Sequence, residues 1–355
     1  MRLLVLIHLP ALVAALAACS GHAVVDTEPP TEPDPTSACA PHRADCNGVA
    51  SDGCEIDLAS DHASCGTCGH GCQGGHCQSG HCQPVIVAAG QGYAYRIAAT
   101  ETSLYWTRED GSVLRAKAGG QPEIIASGQN APGDIAVDAT HVYWANVGDG
   151  TIMRAPLDGG AAETVVLGAG QPWSLAVSAT TLSFTDHASG DVRAMSLGGG
   201  NPPLTIATTQ GAWSIAMDAK QVYWTTLAFG SVFAAPLGGG AKTALVSEFG
   251  SPADLALAGD RLVFGTLSDA GVHAVPLAGG APIALTSEGG YGIAADERHV
   301  YFGMYDGRLA RVPLEGGEPE VLGIGPATPT DIALTEKTVY WSAAAADGLI
   351  LAVAK

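Results

Sequence analysis

The residues able to do chemistry fall in two separate places. Cys39, Cys46, Cys54, Cys65, Cys68, Cys72, Cys77 and Cys82 crowd into residues 39–82, and residues 83–355 contain no cysteine. An even number of thiols in so short a stretch reads as the disulfide framework of an exported chain. Four bonds leave on the order of a hundred pairings open, and spacing does not choose among them. The "CGTC" of residues 65–68, with His62, His70, His76 and His81 nearby, raises redox or metal chemistry as rivals. A redox CxxC must open a helix, and "HASCGTCGHGCQGGHC" is too rich in glycine for one. A thiolate metal site competes poorly with oxidation outside the cytoplasm. Disulfides are therefore expected. "SDGCEIDL" nearby lacks the alternating oxygen ligands of a calcium loop.

The second place is residues 84–355, which hold four histidines and neither GxSxG nor HExxH. His187, in "FTDHASG" beside Asp186, is the one candidate general base. His141, His273 and His299 fall in strand-like segments and are expected to point elsewhere. What recurs instead is a pair of columns set by an internal period. One column reads Tyr95, Gly133, Trp173, Trp213, Ala253, Tyr291, Thr330, and the next reads Arg96, Asp134, Ser174, Ser214, Asp254, Gly292, Asp331. Rigid aromatic surface with polar atoms between suits recognition of a glycan, a peptide or a partner-protein loop. The competing reading has Trp173 and Trp213 wedged between repeats as packing. Asp134, Asp254 and Asp331 could hold Ca²⁺ or another hard cation, though no full ligand set is apparent; no other cofactor is expected.

The elements that must position these columns follow from the period. An aliphatic residue and an aromatic pair recur as "LYW" (Leu104–Trp106), "VYW" (Val142–Trp144), "VYW" (Val222–Trp224), "VYF" (Val300–Phe302) and "VYW" (Val339–Trp341), with "LSF" (Leu182–Phe184) and "LVF" (Leu262–Phe264), one aromatic each, filling the two gaps. The spacings are 38, 40, 40, 40, 38 and 39 residues. One unit reads "DIAVD", turn, "HVYWAN", "VGDG", "TIMRAPL", "DGG", "AETVVLG": four short strands joined by tight turns. Four strands per unit of this length match a propeller blade. No window shows the 3.6-residue period of helix pairs. Trp106, Trp144, Trp224 and Trp341 keep the blade period and are assigned to the core.

The last unit stops after its third strand, while "QPVIVAAGQGY" (Gln83–Tyr93) matches the fourth strand "QPEIIASGQN" (Gln121–Asn130). Val85–Ala89 is therefore expected to pair with Leu349–Val353 and seal the ring, hiding two strand edges. The fold class is all-β: a seven-bladed β-propeller spanning residues 84–355, with six blades as the alternative. Loops between second and third strands would add Arg108, Glu109, Asp186, His187, Phe229 and Tyr305 to the face of the mouth.

The chain opens "MRLLVLIHLPALVAALAAC", one Arg before an apolar run too short to span comfortably and suited to a signal peptide over residues 1–18. "LAAC" (Leu16–Cys19) resembles the lipobox of bacterial lipoproteins. That resemblance implies acylation of Cys19, anchoring in the cell envelope, and, with Ser20 next, the outer membrane. Residues 19–38 are proline-rich and acidic, a tether, and residues 39–83 form the cysteine-rich module. "DCNGVASDGCEIDLASDHASCGTCGHGC" (Asp45–Cys72) resembles a short module of myxobacterial surface proteins. The repeats resemble the YWTD propellers of low-density-lipoprotein receptors: Trp144, Gly150, Ile152, Arg154, Leu157, Asp158 and Gly159 match that pattern, which implies six blades where the count here gives seven.

A net charge of −19 with only 16 Lys and Arg argues against nucleic acid. The reading is a cell-envelope lipoprotein whose propeller binds or scaffolds a glycan, peptide or envelope protein. A metal-dependent propeller hydrolase or lyase is the alternative.

Overall fold

The computed structural model describes residues 39–49, 51–268, 271–343 and 347–355. The signal peptide, Cys19 and the tether lie outside the described residues. Among the described residues no helix is long and apolar enough to cross a membrane.

Seven four-stranded antiparallel sheets follow one another, six of them ordered as the chain runs from inner to outer strand. The inner strands are Ala94–Ala99, Pro132–Val137, Pro172–Val177, Ala212–Met217, Pro252–Ala258, Tyr291–Ala295 and Pro329–Leu334. Each packs on the next and the seventh packs on the first, so the sheets form a closed seven-bladed ring. Blade 7 takes its outer strand from the start of the ring: Val85–Ala88 pairs with Leu349–Ala354, with Ala88 opposite Ile350 and Ile86 opposite Leu351. The ring is sealed as its sequence predicts. The seven-blade count holds and the six-blade alternative does not.

The aromatic pair explains why the blades stack. Successive residues of a strand point to opposite faces, and both faces of a blade are covered. Tyr105 of blade 1 joins Val142, Trp144 and Ile135 of blade 2 in one buried cluster. Trp106, its neighbour, joins Ala333 and Ile350 of blade 7. Tyr143 meets Leu182 and Phe184, Tyr223 meets Leu262 and Phe264, and Tyr301 meets Val339 and Trp341. The first aromatic of each pair therefore faces the following blade and the second faces the preceding one. Trp106, Trp144, Trp224 and Trp341 are completely buried, in keeping with their assignment to the core.

The turn between second and third strands carries a second repeating device. Gly111, Gly150, Gly190, Gly230, Gly307 and Gly348 all adopt positive φ. Their carbonyls accept from the loop that leaves the same blade's outer strand: Gln129 N–H to Gly111, Ala169 to Gly150, Thr209 to Gly190, Phe249 to Gly230, Gly325 to Gly307 and Gln91 to Gly348. A Cβ on Gly150 would stand 2.6 Å from the Gly170 carbonyl oxygen. Glycine is required twice there, for its dihedral and for the close approach.

In the module the eight cysteines form four bonds: Cys39–Cys54, Cys46–Cys68, Cys65–Cys77 and Cys72–Cys82. Cys65 and Cys68 do not bond each other. Cys65, Cys72 and Cys82 are buried in the same cluster as Tyr301, Leu309 and Trp341 of blades 6 and 7. The module is thus seated on the ring.

Candidate functional site

Each inner strand carries a β-bulge where the polar column falls, as between Pro132 and Ile135 or Pro172 and Leu175. A bulge leaves backbone groups without ladder partners, and the column side chains serve the next blade's N–H groups. Asp134 Oδ2 accepts from Leu175 N (2.7 Å) and Ser174 Oγ (2.8 Å). Ser174 Oγ accepts from Ile215 N, and Ser214 Oγ donates to Asp254 Oδ1 at 2.8 Å. Asp254 Oδ2 accepts from Ile293 N at 3.0 Å. Asp331 Oδ2 accepts from Ile97 N at 2.7 Å, joining blade 7 to blade 1.

The cation among these acids is a side chain. Arg96 Nη1 lies 3.4 Å from Asp331 Oδ1 and 3.8 Å from Asp254 Oδ2. The side chains of Arg96, Asp254 and Asp331 are 22%, 16% and 12% exposed, largely shielded from bulk water. Burial, opposed by Arg96 and reinforced by Asp254 and Asp134, pushes Asp331 up to about 7. Burial raises Asp134 as well, with Arg96 acting against it. Three carboxylates share one guanidinium, and its desolvation is offset by all three.

Over this ring opens a cavity of about 620 Å³ bordered by Tyr95, Arg96, Glu109, Asp134, Trp173 and Thr330, with a floor of Ala131–Gly133 and Val147. It exists because blade 2 carries Gly133 where blades 1 and 3 carry Tyr95 and Trp173. Even a Cβ at Gly133 would meet Val147 Cγ2 at 3.1 Å. Trp173 and Trp213 are both half-buried and their ring centroids stand 4.5 Å apart. They brace each other across the boundary of blades 3 and 4 while Trp173 also walls the cavity, so packing and display share these residues. Tyr291 stacks edge-on with Tyr305 at 5.2 Å, on blade 6. The aromatic column lies within the inner strands, beside their bulges, where the ladder resumes on both sides.

His187 is 5.3 Å from Trp173 and 5.4 Å from Trp213, ring to ring. Asp186 is committed to the loop, accepting from Gln171 N, Ala188 N and Ser189 Oγ with Arg193 alongside. Those hydrogen bonds hold its carboxyl below the usual range against the effect of burial. Glu109 borders the cavity, whereas Arg108 is paired with Asp110 at 2.9 Å. Phe229 is exposed, with its ring over Gly211. His273 packs between Phe249 and Phe264. His141 and His299 sit beside Tyr143 and Tyr301.

Gln91 and Gln129 were not singled out by sequence reasoning. Their amide oxygens accept from the indoles of Trp106 and Trp144 at 3.2 and 2.8 Å. The signal was present, a Gln fifteen residues before each Trp. Thr209 stands at that spacing before Trp224 and Pro326 before Trp341, and both of these indole N–H groups are buried without a partner among the described residues. Among the described residues, one group of carboxylates converges closely enough to hold a hard cation of the Ca²⁺ kind: Asp45, Asp52 and Glu55, at the surface of the module. It draws Asp45 from upstream of "SDGCEIDL", which is why that stretch read alone lacks the ligands.

No protein-family model and no curated protein matches the sequence. Solved structures do match in fold. A streptogramin B lyase aligns with a TM-score of 0.64 at 12% identity, covering 77% of this chain and 97% of its own. A catalytically inactive variant of virginiamycin B lyase from Staphylococcus aureus, with quinupristin, aligns at 0.63 and 11%, covering 76% and 98%. A computationally designed protein, Ika8, aligns at 0.56 and 14%, covering 76% and 98%.

Proposed function

We propose that the cavity between Tyr95 and Trp173 is a recognition site, and that the chain is a binding or scaffold module of the cell envelope. The observation that carries this is the notch itself: a cavity of about 620 Å³ at the axis, walled by two aromatics and floored by small residues. Its size suits a small molecule or one protruding group of a glycan, peptide or protein loop. Gly133→Trp would restore the missing aromatic of blade 2 and fill the notch. In a fragment screen by ligand-observed NMR, hits on the native protein should vanish with Gly133→Trp and with Trp173→Ala. Hits that persist in both folded variants rule the site out.

The likeness to lyases in fold supports a second reading, in which the same cavity performs an elimination. Such chemistry needs a base and a group to steady developing negative charge. Glu109 and Arg96 border the cavity and could take those roles. Incubation with a streptogramin B followed by mass spectrometry tests it: a product of unchanged mass and altered retention supports elimination, and intact substrate after prolonged incubation rejects it.

Envelope anchoring through Cys19 belongs to the same proposal. The "LAAC" motif supports it, and Cys19→Ser should move the protein from the membrane to the soluble fraction. Retention of the variant in the membrane would defeat it.

A further inference from the structure

The proposed recognition site has a charge as well as a shape. Arg96 borders the cavity, yet its guanidinium is engaged by Asp331 and Asp254 on the channel side. Asp134 and Glu109 also border the cavity, Asp134 within the field of Arg96 and hydrogen-bonded by Leu175 N and Ser174 Oγ, Glu109 at an exposed position. Asp134, Asp254 and Asp331 act on the Arg96 guanidinium, and Glu109 is a further carboxylate at the border of the cavity. Arg108, next to Glu109 in the chain, is paired with Asp110. Beside these acids stand Tyr95 and Trp173, whose ring faces carry the negative end of an aromatic quadrupole. Tyr95 is 47% exposed, so its ring is available to a ligand.

An anion would meet Glu109 and the acids around Arg96, whose carboxylates outnumber its single positive charge, and a neutral ligand would gain nothing from them. An alkylammonium would gain from both the bordering acids and the aromatic walls. Resting on the recognition reading, we infer that the cavity takes a small organic cation, an alkylammonium carried on an apolar body, with its charge over Asp134 and Glu109 and its apolar part between Tyr95 and Trp173. The whole protein is solvated by a field of the same sign, with net charge −19, which draws such a ligand inward. Asp331, faced by Arg96, Asp254 and Asp134, holds part of a proton near neutrality. An added cation favours its ionised form, so binding at pH 7 releases a fraction of that proton.

Three probes of one size separate the possibilities by calorimetry: benzyltrimethylammonium, benzyl alcohol and benzoate. The cation should bind at least about ten-fold more tightly than either of the others, which is the scale of a desolvated cation–π contact. Glu109→Gln, at an exposed position with no structural role, should weaken the cation about three- to ten-fold and leave benzyl alcohol unchanged. The heat measured in buffers of different ionisation enthalpy should show proton release at pH 7 and none at pH 9. Preferential binding of benzoate or benzyl alcohol, lost in Trp173→Ala, overturns the charge assignment while leaving the recognition site standing. Failure of all three probes to bind overturns both.

Discussion

Arg96 and Asp331 come from opposite ends of the ring and meet at its axis. An acid pushed up to about 7 in the fold, against an ordinary 3.8, binds its proton more tightly folded than unfolded. Its contribution to stability is therefore complete below pH 3.8 and is lost as the pH climbs through 7. Asp331→Asn keeps an oxygen for Ile97 N–H but removes that loss. Relative to the native protein it should gain on the order of 1–3 kcal/mol between pH 5 and pH 8, read from urea midpoints. An equal difference at both pH values would mean that Asp331 is ionised throughout. Arg96→Met should act in the opposite sense: about 3 kcal/mol of destabilisation at pH 8, shrinking at pH 5 where the acids can protonate. The polar column that holds both residues is visible in the sequence. That Arg96 is the counter-ion of the acids is not, because the pairing needs the ring to bring residues 235 apart together.

At the scale of elements, most of the architecture can be read from "VYW" and "DGG". Alternation in a strand sends the two aromatics to opposite faces, which makes sense only if both faces are covered, and the number of such units counts the blades. The glycine clasp is less legible. Gly150 looks like any hairpin glycine until the loop at Ala169–Gly170 is seen to lie across it. Gly150→Ala should cost about 2 kcal/mol or more, since it combines a left-handed backbone with a collision against a carbonyl. Gly168→Ala is the control: it has positive φ but open space around its Cβ, so it should cost about 1 kcal/mol. Equal thermal midpoints for the two variants would show that the clasp adds nothing. Disulfide pairing was beyond sequence reasoning for a different reason. Connectivity depends on which loops pass each other in space, and the spacing of Cys39 to Cys82 is compatible with many choices.

For the whole molecule, the module is part of the ring's packing. Cys65, Cys72 and Cys82 bury against the cluster built on Tyr301 and Trp341, and Gly323 of blade 6 lies so close to Pro84 that a Cβ would stand 2.6 Å from its Cγ. Reducing the four disulfides should therefore lower the melting temperature of the propeller itself, on the order of 5 °C, by calorimetry with and without phosphine. No change in that transition would make the module a passive appendage.

The strand that closes the ring has one more consequence. Val85–Ala88 follows Cys82 by two residues, so a pull on the N-terminal side reaches the propeller through that strand and through the module packed on blades 6 and 7. Mechanical tension therefore arrives at the seam. Parting Val85–Ala88 from Leu349–Ala354 would leave blade 7 with three strands and an open edge.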